Sequence, residues 1–304
     1  MSRSDHRANE SVFLELAQRA LALLPTTQQV DWAETAAAVW LPGRWRGQLH
    51  SVESIATTGL GDLLHIDRQK QQLVDNTRQF VAGFPANNAL LWGARGTGKS
   101  SLIAALVQEF FNHGLRVVEI GKDALADLNT VVQQLASQPY KFILFCDDLS
   151  FEATDPSYKI LKSSLEGSIV AGSANVVIYA TSNRRHLLPE RMSDNQQARM
   201  VDEELHQSEA TEEKVSLSDR FGLWLSFYPV KQEAYLDMAT HWVVTMATEF
   251  GAQDQSWASD LEEYRAAALR WALARGVRSG RTAQHFARHW VGQQLTQTTE
   301  NLNS

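Results

Sequence analysis

A short apolar run, a glycine-rich loop and an amphipathic segment together constrain the fold of this chain more than any other feature. The run covers residues 89–92, and the loop reads GARGTGKS from Gly93 to Ser100. Apolar residues then recur at helical spacing through residues 101–113, and Gly114 stands where a helix is expected to stop. The pattern predicts a buried strand, a phosphate-binding loop and a helix.

Each part of this loop has a physical task. Its glycines allow backbone conformations that are closed to residues with a side chain, so that loop N–H groups and the helix start can converge on a phosphate chain. Lys99 is expected to bring positive charge to the outer phosphates, and the Ser100 hydroxyl to bind Mg²⁺. The predicted nucleotide-binding set is Gly93, Ala94, Arg95, Gly96, Thr97, Gly98, Lys99, Ser100 and Ser101.

Composition bounds the protein class. The chain has 304 residues, of which 44% are hydrophobic and 21% charged, as in globular proteins of one or two domains. A net charge of -7 argues against a dedicated nucleic-acid binder, although it leaves room for a local basic face. The single cysteine, Cys146, excludes an internal disulfide framework. Because no signal-peptide pattern and no membrane-length apolar stretch is visible, we expect a cytoplasmic protein without a membrane partner.

Further apolar runs alternate with helical segments after the loop. They cover residues 116–120, 141–146, 175–180 and 223–228. Strands that alternate with helices imply right-handed crossovers and a mostly parallel sheet with helices on both faces. The expected fold class is therefore α/β, a three-layer P-loop NTPase sandwich with a five-stranded sheet and a C-terminal helical lid.

The same patterns divide the chain into four parts. Residues 1–60, which include a helical pattern over 11–24, form an accessory and largely helical region. Residues 61–230 form the α/β core, in which the polar, acid-rich stretch 188–218 is expected to be a flexible surface insertion. A partner-contacting insertion is the alternative for that stretch. Residues 231–296 form the helical lid, and 297–304 a disordered tail.

Two carboxylates follow the run that ends at Cys146. At the carboxyl end of a parallel strand they face the crevice where ligands bind. We expect Asp147 to bind Mg²⁺, directly or through water, and Asp148 to orient or deprotonate the attacking water. Asp148 is one methylene shorter than a glutamate, which makes it the less secure candidate, and Glu152 is a nearby alternative. A turn or a helix cap is the structural alternative for the pair.

Polar residues follow the next buried run in the same way. Asn183 is the candidate sensor of the terminal phosphate or of the water. The alternative is a helix cap formed by Ser182 or Asn183.

Two arginines later in the chain are candidates for contact with the nucleotide. Arg220, just before the last run, is expected to reach a neighbouring subunit's terminal phosphate, with a surface ion pair to Asp219 as the alternative. Arg281, near the start of the final helical segment, is expected to reach the nucleotide from the lid, and Arg278 is its substitute. For either residue alone, a solvated surface role is the simpler interpretation.

The order of these motifs resembles the AAA+ ATPases, in the branch of the bacterial replication initiator and helicase loaders, over about residues 60–295. Four runs are also similar to the uncharacterised bacterial family named domain of unknown function 815; they are WGARGTGKSS (92–101), FILFCDDLSFE (142–152), YATSNRRHL (179–187) and SLSDRFGLWL (216–225). The resemblance implies ATP and Mg²⁺ as ligands, with Lys99 on the phosphates, Ser100 and Asp147 on the metal, Asn183 as first sensor, Arg220 as the finger and Arg281 as second sensor in cis. Together with Asp148 as the candidate that orients the water, the expected catalytic residues are Lys99, Asp147, Asp148, Asn183 and Arg220. Arg220 acting in trans implies a homo-oligomer, commonly a ring.

Two functions remain open at this point. The first is an ATPase that couples Mg²⁺-dependent hydrolysis to remodelling or loading of an unknown protein partner. The alternative is a nucleotide-dependent binding switch or loader with little hydrolysis, one form of which acts on DNA. Nucleic acid is the less favoured partner, and the residues proposed for such a basic face are Arg184 and Arg185.

Overall fold

The computed structural model describes residues 30–43, 47–55, 58–151, 155–165, 173–185, 187, 199–201, 204–206, 220–251 and 261–302. The predicted helix over 11–24, and the residues Glu152 and Asp219, lie outside the described residues. Within the acidic insertion 188–218 the structure describes residues 199–201 and 204–206, which form the antiparallel strands β7 (Arg199–Val201) and β8 (Glu204–His206).

A central sheet organises the protein. Its strands are β1 (Ala37–Leu41), β2 (Gln48–Ser51), β3 (Ala89–Gly93), β4 (Leu115–Ile120), β5 (Lys141–Cys146), β6 (Val176–Ser182) and β9 (Leu223–Phe227). They lie in the order β2-β1-β4-β5-β6-β3-β9, and every neighbouring pair is parallel except β1 with β2. The mostly parallel α/β class is confirmed, and the predicted number of five strands is wrong, because the described residues alone contribute seven strands to this sheet.

The two additional strands come from the region that we expected to be helical. β1 is an apolar run, and it pairs in parallel with β4, so that Ala38 and Trp40 are buried. The Trp40 indole donates a hydrogen bond to Asp127 Oδ2 over 2.9 Å. Residues 37–41 and 48–51 therefore extend the core sheet instead of forming a separate helical unit, because burying this short apolar run requires the edge of β4.

Helices cover both faces of the sheet. α1 (Asp67–Val81) and α2 (Lys99–Phe110) pack on one face, and α3 (Leu128–Ala136) and α4 (Pro156–Leu165) on the other. Each face buries its own apolar cluster, which is why β5 and β6 read as continuous apolar runs instead of alternating ones. Short 3₁₀ segments lie at Leu60–Asp62, Phe111–His113 and Lys122–Asp127.

The lid is a three-helix unit formed by α5 (Gln232–Glu249), α6 (Leu261–Ala274) and α7 (Gly280–Leu302), which enclose a third apolar cluster. α7 runs through most of the segment that we expected to be disordered. That segment contains neither glycine nor proline up to Leu302, so nothing interrupts the helical hydrogen bonds. None of the described helices combines the length and the apolar character needed to cross a lipid bilayer.

Candidate nucleotide site

The predicted phosphate loop joins the end of β3 to the start of α2. Gly98 caps α2 with a φ of 94°, and Gly96 also has a positive φ, of 75°. Gly93 has a φ of 136°, and a Cβ placed there would lie 1.9 Å from the carbonyl oxygen of Phe227 on the neighbouring strand β9. Glycine is therefore required at this position both by conformation and by the close approach of a second strand.

Lys99 is the buried cation of the site, with only 7% of its surface exposed. Its ammonium donates hydrogen bonds to the carbonyl oxygens of Gly93 (2.9 Å) and Ala94 (2.8 Å), and to Asn183 Oδ1 (3.3 Å). Burial lowers the pKa of this ammonium, and the negative charges of Asp148 and Asp147 oppose the shift. The lysine is thus held within the loop by acceptors that a phosphate chain can replace.

Asp147 and Ser100 meet at the predicted metal position. The Ser100 hydroxyl donates to Asp147 Oδ1 over 2.7 Å, so the carboxyl end of β5 and the start of α2 lie side by side. Within the described residues no group of three or more His, Cys, Asp or Glu side chains is placed to hold a metal ion. The donor set of one carboxylate and one hydroxyl fits Mg²⁺, which commonly completes its octahedral shell with water and substrate phosphate oxygens.

Thr181 fixes this arrangement, and sequence reasoning did not assign it a role. Its hydroxyl donates to Asp147 Oδ1 over 2.5 Å and accepts a bond from the Asp148 N–H over 2.8 Å. The residue is 1% exposed and lies on β6, next to β5 in the sheet. Its position just before Asn183 in the polar strand end is the signal that could have identified it.

Asp148 and Asn183 are brought together beside the loop. The Asn183 side-chain amide donates to Asp148 Oδ1, while its oxygen accepts from Lys99. Arg95 Nη2 lies 3.9 Å from Asp148 Oδ2. Asp148 itself has a φ of 49°, a left-handed conformation that aspartate tolerates better than most residues. Both predicted catalytic side chains therefore lie at the loop, already engaged with each other.

The lid reaches the loop through the start of α7. The Arg281 N–H donates to the Gly96 carbonyl oxygen over 3.3 Å, and a Cβ added at Gly96 would lie 2.8 Å from Ser279 Oγ. Arg281 lines the same cavity as the loop, whereas Arg278 is exposed and does not line it. The structure thus brings Arg281 to the predicted site, and the alternative candidate, Arg278, lies outside it.

A cavity of about 440 Å³ connects the loop, the two aspartates and the lid. Part of its wall is apolar and was not foreseen from the sequence; it consists of Leu63, Leu64, Ile66, Met238 and Trp242. These residues come from the segment before α1 and from α5, which are far apart in the chain. An apolar wall beside a phosphate loop suits the planar base of a nucleotide.

Two histidine–aspartate pairs join the segment before α1 to the lid helix α5. His241 Nε2 lies 2.9 Å from Asp62 Oδ1, and His65 Nε2 lies 3.1 Å from Asp237 Oδ2. Asp237 and His241 are one turn apart on α5, so the pairs are reciprocal. We refer to these four residues as the His–Asp clasp. It holds together the two elements that supply the apolar wall.

Arg220 lies away from this cavity. It precedes β9 and lines a second cavity, of about 540 Å³, together with Asn87, Val176 and Gly222 at the amino ends of β3, β6 and β9. A five-residue strand spans about 17 Å, so the phosphate loop is at the opposite edge of the sheet. The structure does not bring Arg220 to the site of its own chain.

Cys146 is buried beneath the site at the end of β5. Burial raises the pKa of its thiol to about 12. A thiol of this kind is not a nucleophile at neutral pH, in agreement with its interpretation as a strand residue.

Comparisons with known proteins found one family model and several solved structures that match this chain. The family model described as "Protein of unknown function (DUF815)" matches residues 33–294. Among solved structures, a point mutant of Thermotoga maritima RuvB is 15% identical with a TM-score of 0.46, covering 76% of this chain and 64% of its own. The Aeropyrum pernix Orc1 protein, solved in complex with DNA, is 15% identical with a TM-score of 0.46, covering 77% and 63%.

A third similar structure is DnaI, at 15% identity and a TM-score of 0.39, covering 64% of this chain and 96% of its own. The chain spans less than two thirds of the length of these RuvB and Orc1 chains. No curated protein matches the sequence.

Proposed function

The chain belongs to the family described as "Protein of unknown function (DUF815)", and from this premise we propose that it is an AAA+ ATPase. In this proposal it binds ATP with Mg²⁺ and couples hydrolysis to the remodelling or loading of a protein partner. The observation that carries the proposal is the convergence of the Lys99 ammonium, the Ser100–Asp147 pair and Asn183 on one lid-covered cavity.

Each residue at the loop has a stated task in this reaction. Lys99 exchanges its carbonyl acceptors for phosphate oxygens and balances their charge. Ser100 and Asp147 hold the ion, which neutralises charge on the outer phosphates when it is bound. Asp148 orients the attacking water, and Asn183 links that carboxylate to Lys99. Binding, orientation and charge stabilisation supply most of the catalysis in phosphoryl transfer.

The lid gives the nucleotide a mechanical role. Arg281 and the apolar residues Met238 and Trp242 face the cavity from the lid, while the loop faces it from the sheet. A bound nucleotide would therefore contact both bodies at once, and its hydrolysis would change the contacts between them. Such differential contact is what allows a ligand to shift a conformational equilibrium.

A nucleotide-dependent switch with little hydrolysis is the second candidate. It is favoured by the environment of Asp148, whose two oxygens are engaged by Asn183 and approached by Arg95. A short carboxylate held in this way is a poorer activator of water than a free glutamate.

Steady-state phosphate release with Mg²⁺ and ATP separates the two functions. The ATPase proposal expects turnover by the wild-type chain and background rates for Lys99→Ala. The switch expects ATP binding by titration calorimetry with a release rate no higher than that of the variant. Absence of any ATP binding in the presence of Mg²⁺ would overturn both.

Asp148→Asn tests the water-orienting role, since it should retain ATP affinity and lose turnover.

A further inference from the structure

Basic charge is concentrated in one part of this acidic protein. Residues 264–296 contain six arginines, two histidines and no lysine, aspartate or glutamate. The chain has 28 Lys and Arg against 35 Asp and Glu, so the remainder carries a net charge of -13. The segment consists of α6 after its first turn, the following loop and most of α7.

The helical spacing of α7 collects several of these side chains on one face. His285, Arg288 and His289 follow Arg281 at intervals of three or four residues, and all four are exposed. Residues at that spacing lie above one another on a helix. The stripe therefore begins at the nucleotide cavity, which Arg281 lines, and runs outward along the lid.

Side chains at the end of α6 extend this stripe, because they stack on one another and on His289 of α7. The Trp271 ring stacks on His289 with centroids 4.7 Å apart and an interplanar angle of 26°. The Arg275 guanidinium lies 3.4 Å from the centroid of the same indole. We name Trp271, Arg275, His285, Arg288 and His289 the basic lid face. Arg288 lies on α7 and Arg275 directly after the last residue of α6, and the stacking of Trp271 on His289 joins the two parts.

The charges of the basic lid face are not neutralised by the described part of the protein. Arg265 pairs with Glu233, over 2.8 Å. Among the residues whose side chains the structure describes, no carboxylate lies within ion-pair distance of Arg275 or Arg288. An exposed group of positive charges without counter-charges is a binding surface for a polyanion.

We propose that the basic lid face binds single-stranded nucleic acid. Residues 264–296 contain arginines and no lysine. The planar guanidinium group of arginine forms bidentate hydrogen bonds with phosphate oxygens, which the lysine ammonium cannot do. The Arg275 guanidinium and the His289 imidazole, which stack on Trp271 and are exposed, also present planar groups, on which unpaired bases stack without regard to sequence. The net charge of -7 for the whole chain did not indicate this surface, because the excess of acidic residues lies outside residues 264–296. Binding at this face does not depend on ATP hydrolysis.

Fluorescence anisotropy of a labelled 20-mer of deoxythymidine with the full chain tests the proposal. Binding is expected at about 50 mM NaCl, and to weaken steeply as salt rises, because phosphate contacts release counterions. The double variant Arg275→Gln with Arg288→Gln should bind at least about tenfold more weakly, with a shallower salt dependence. The matched control is Arg68→Gln with Arg78→Gln, which removes the same charge from α1 and should bind as the wild type does.

Four results would overturn the proposal. They are no binding of the oligonucleotide at low salt, equal binding by the lid variant, an equal loss in the control variant, or equally tight binding of polyglutamate of the same length. The last result would identify a surface for acidic proteins instead. The lid variant should retain wild-type phosphate release and circular dichroism, which separates this test from that of the ATPase function.

Discussion

At the scale of single residues, the role of the Thr181 hydroxyl in holding the site together can be tested directly. Its hydroxyl serves Asp147 and the Asp148 backbone at once, and it is buried. Thr181→Val keeps the shape and removes the hydrogen-bond partner of the partly buried Asp148 N–H, which costs about 1 kcal/mol. We expect phosphate release to fall about tenfold or more, whereas Thr181→Ser should restore it. Release at the wild-type rate by the valine variant would show that the hydroxyl has no such role.

Gly96 allows a second residue-scale prediction with a matched control. Gly96→Ala forces a side chain into a left-handed backbone and towards Ser279 of the lid, whereas Gly83→Ala meets the same φ penalty in open space. Gly83→Ala should lose about 1 kcal/mol of unfolding free energy in urea titrations. Gly96→Ala should lose more, because its Cβ would lie 2.8 Å from Ser279 Oγ. Only Gly96→Ala should weaken ATP binding in calorimetry. Equal ATP affinities would show that contact between loop and lid is irrelevant to binding.

At the scale of elements, the His–Asp clasp joins the segment before α1 to α5. Asp62→Asn and His241→Ala should each weaken ATP binding about two- to fivefold, because a partly exposed hydrogen bond between side chains contributes about 1 kcal/mol. The double variant should bind ATP no more weakly than either single variant, since each single substitution already removes the same His241–Asp62 contact. Glu233→Gln, which breaks a pair within the lid, is the control and should leave ATP affinity unchanged. Additive losses in the double variant would contradict the clasp.

At the scale of the whole molecule, the position of Arg220 matters most. It lies at the opposite edge of the sheet from the phosphate loop, which is where a residue that serves a neighbouring subunit can lie. Arg220→Ala should therefore retain ATP affinity and lose hydrolysis. By itself, each of the variants Arg220→Ala and Lys99→Ala should release no phosphate above background. A mixture of the two variants should regain phosphate release, because an intact site of one meets the arginine of the other. No recovery on mixing would refute the role in trans and weaken the case for a homo-oligomer.

The sequence was sufficient for the parts of this protein that are local. The apolar run, the loop and the helix from residue 89 to 114 follow from glycine chemistry and helical spacing, and the structure forms them as β3, the loop and α2. The parallel sheet followed from alternating runs such as β5 and β6. The catalytic roles of Asp148, Asn183 and Arg220 stay predictions, since geometry alone does not test them.

What only the tertiary structure decided depends on contacts between distant segments. β1 became a strand because β4 offers it an edge, and nothing in its composition distinguishes a short apolar helix from a short apolar strand. The Thr181 bonds, the apolar wall and the His–Asp clasp join residues between about 30 and 180 positions apart. Spacing along a chain cannot report such neighbours, because side-chain proximity across elements is set by packing and not by local period.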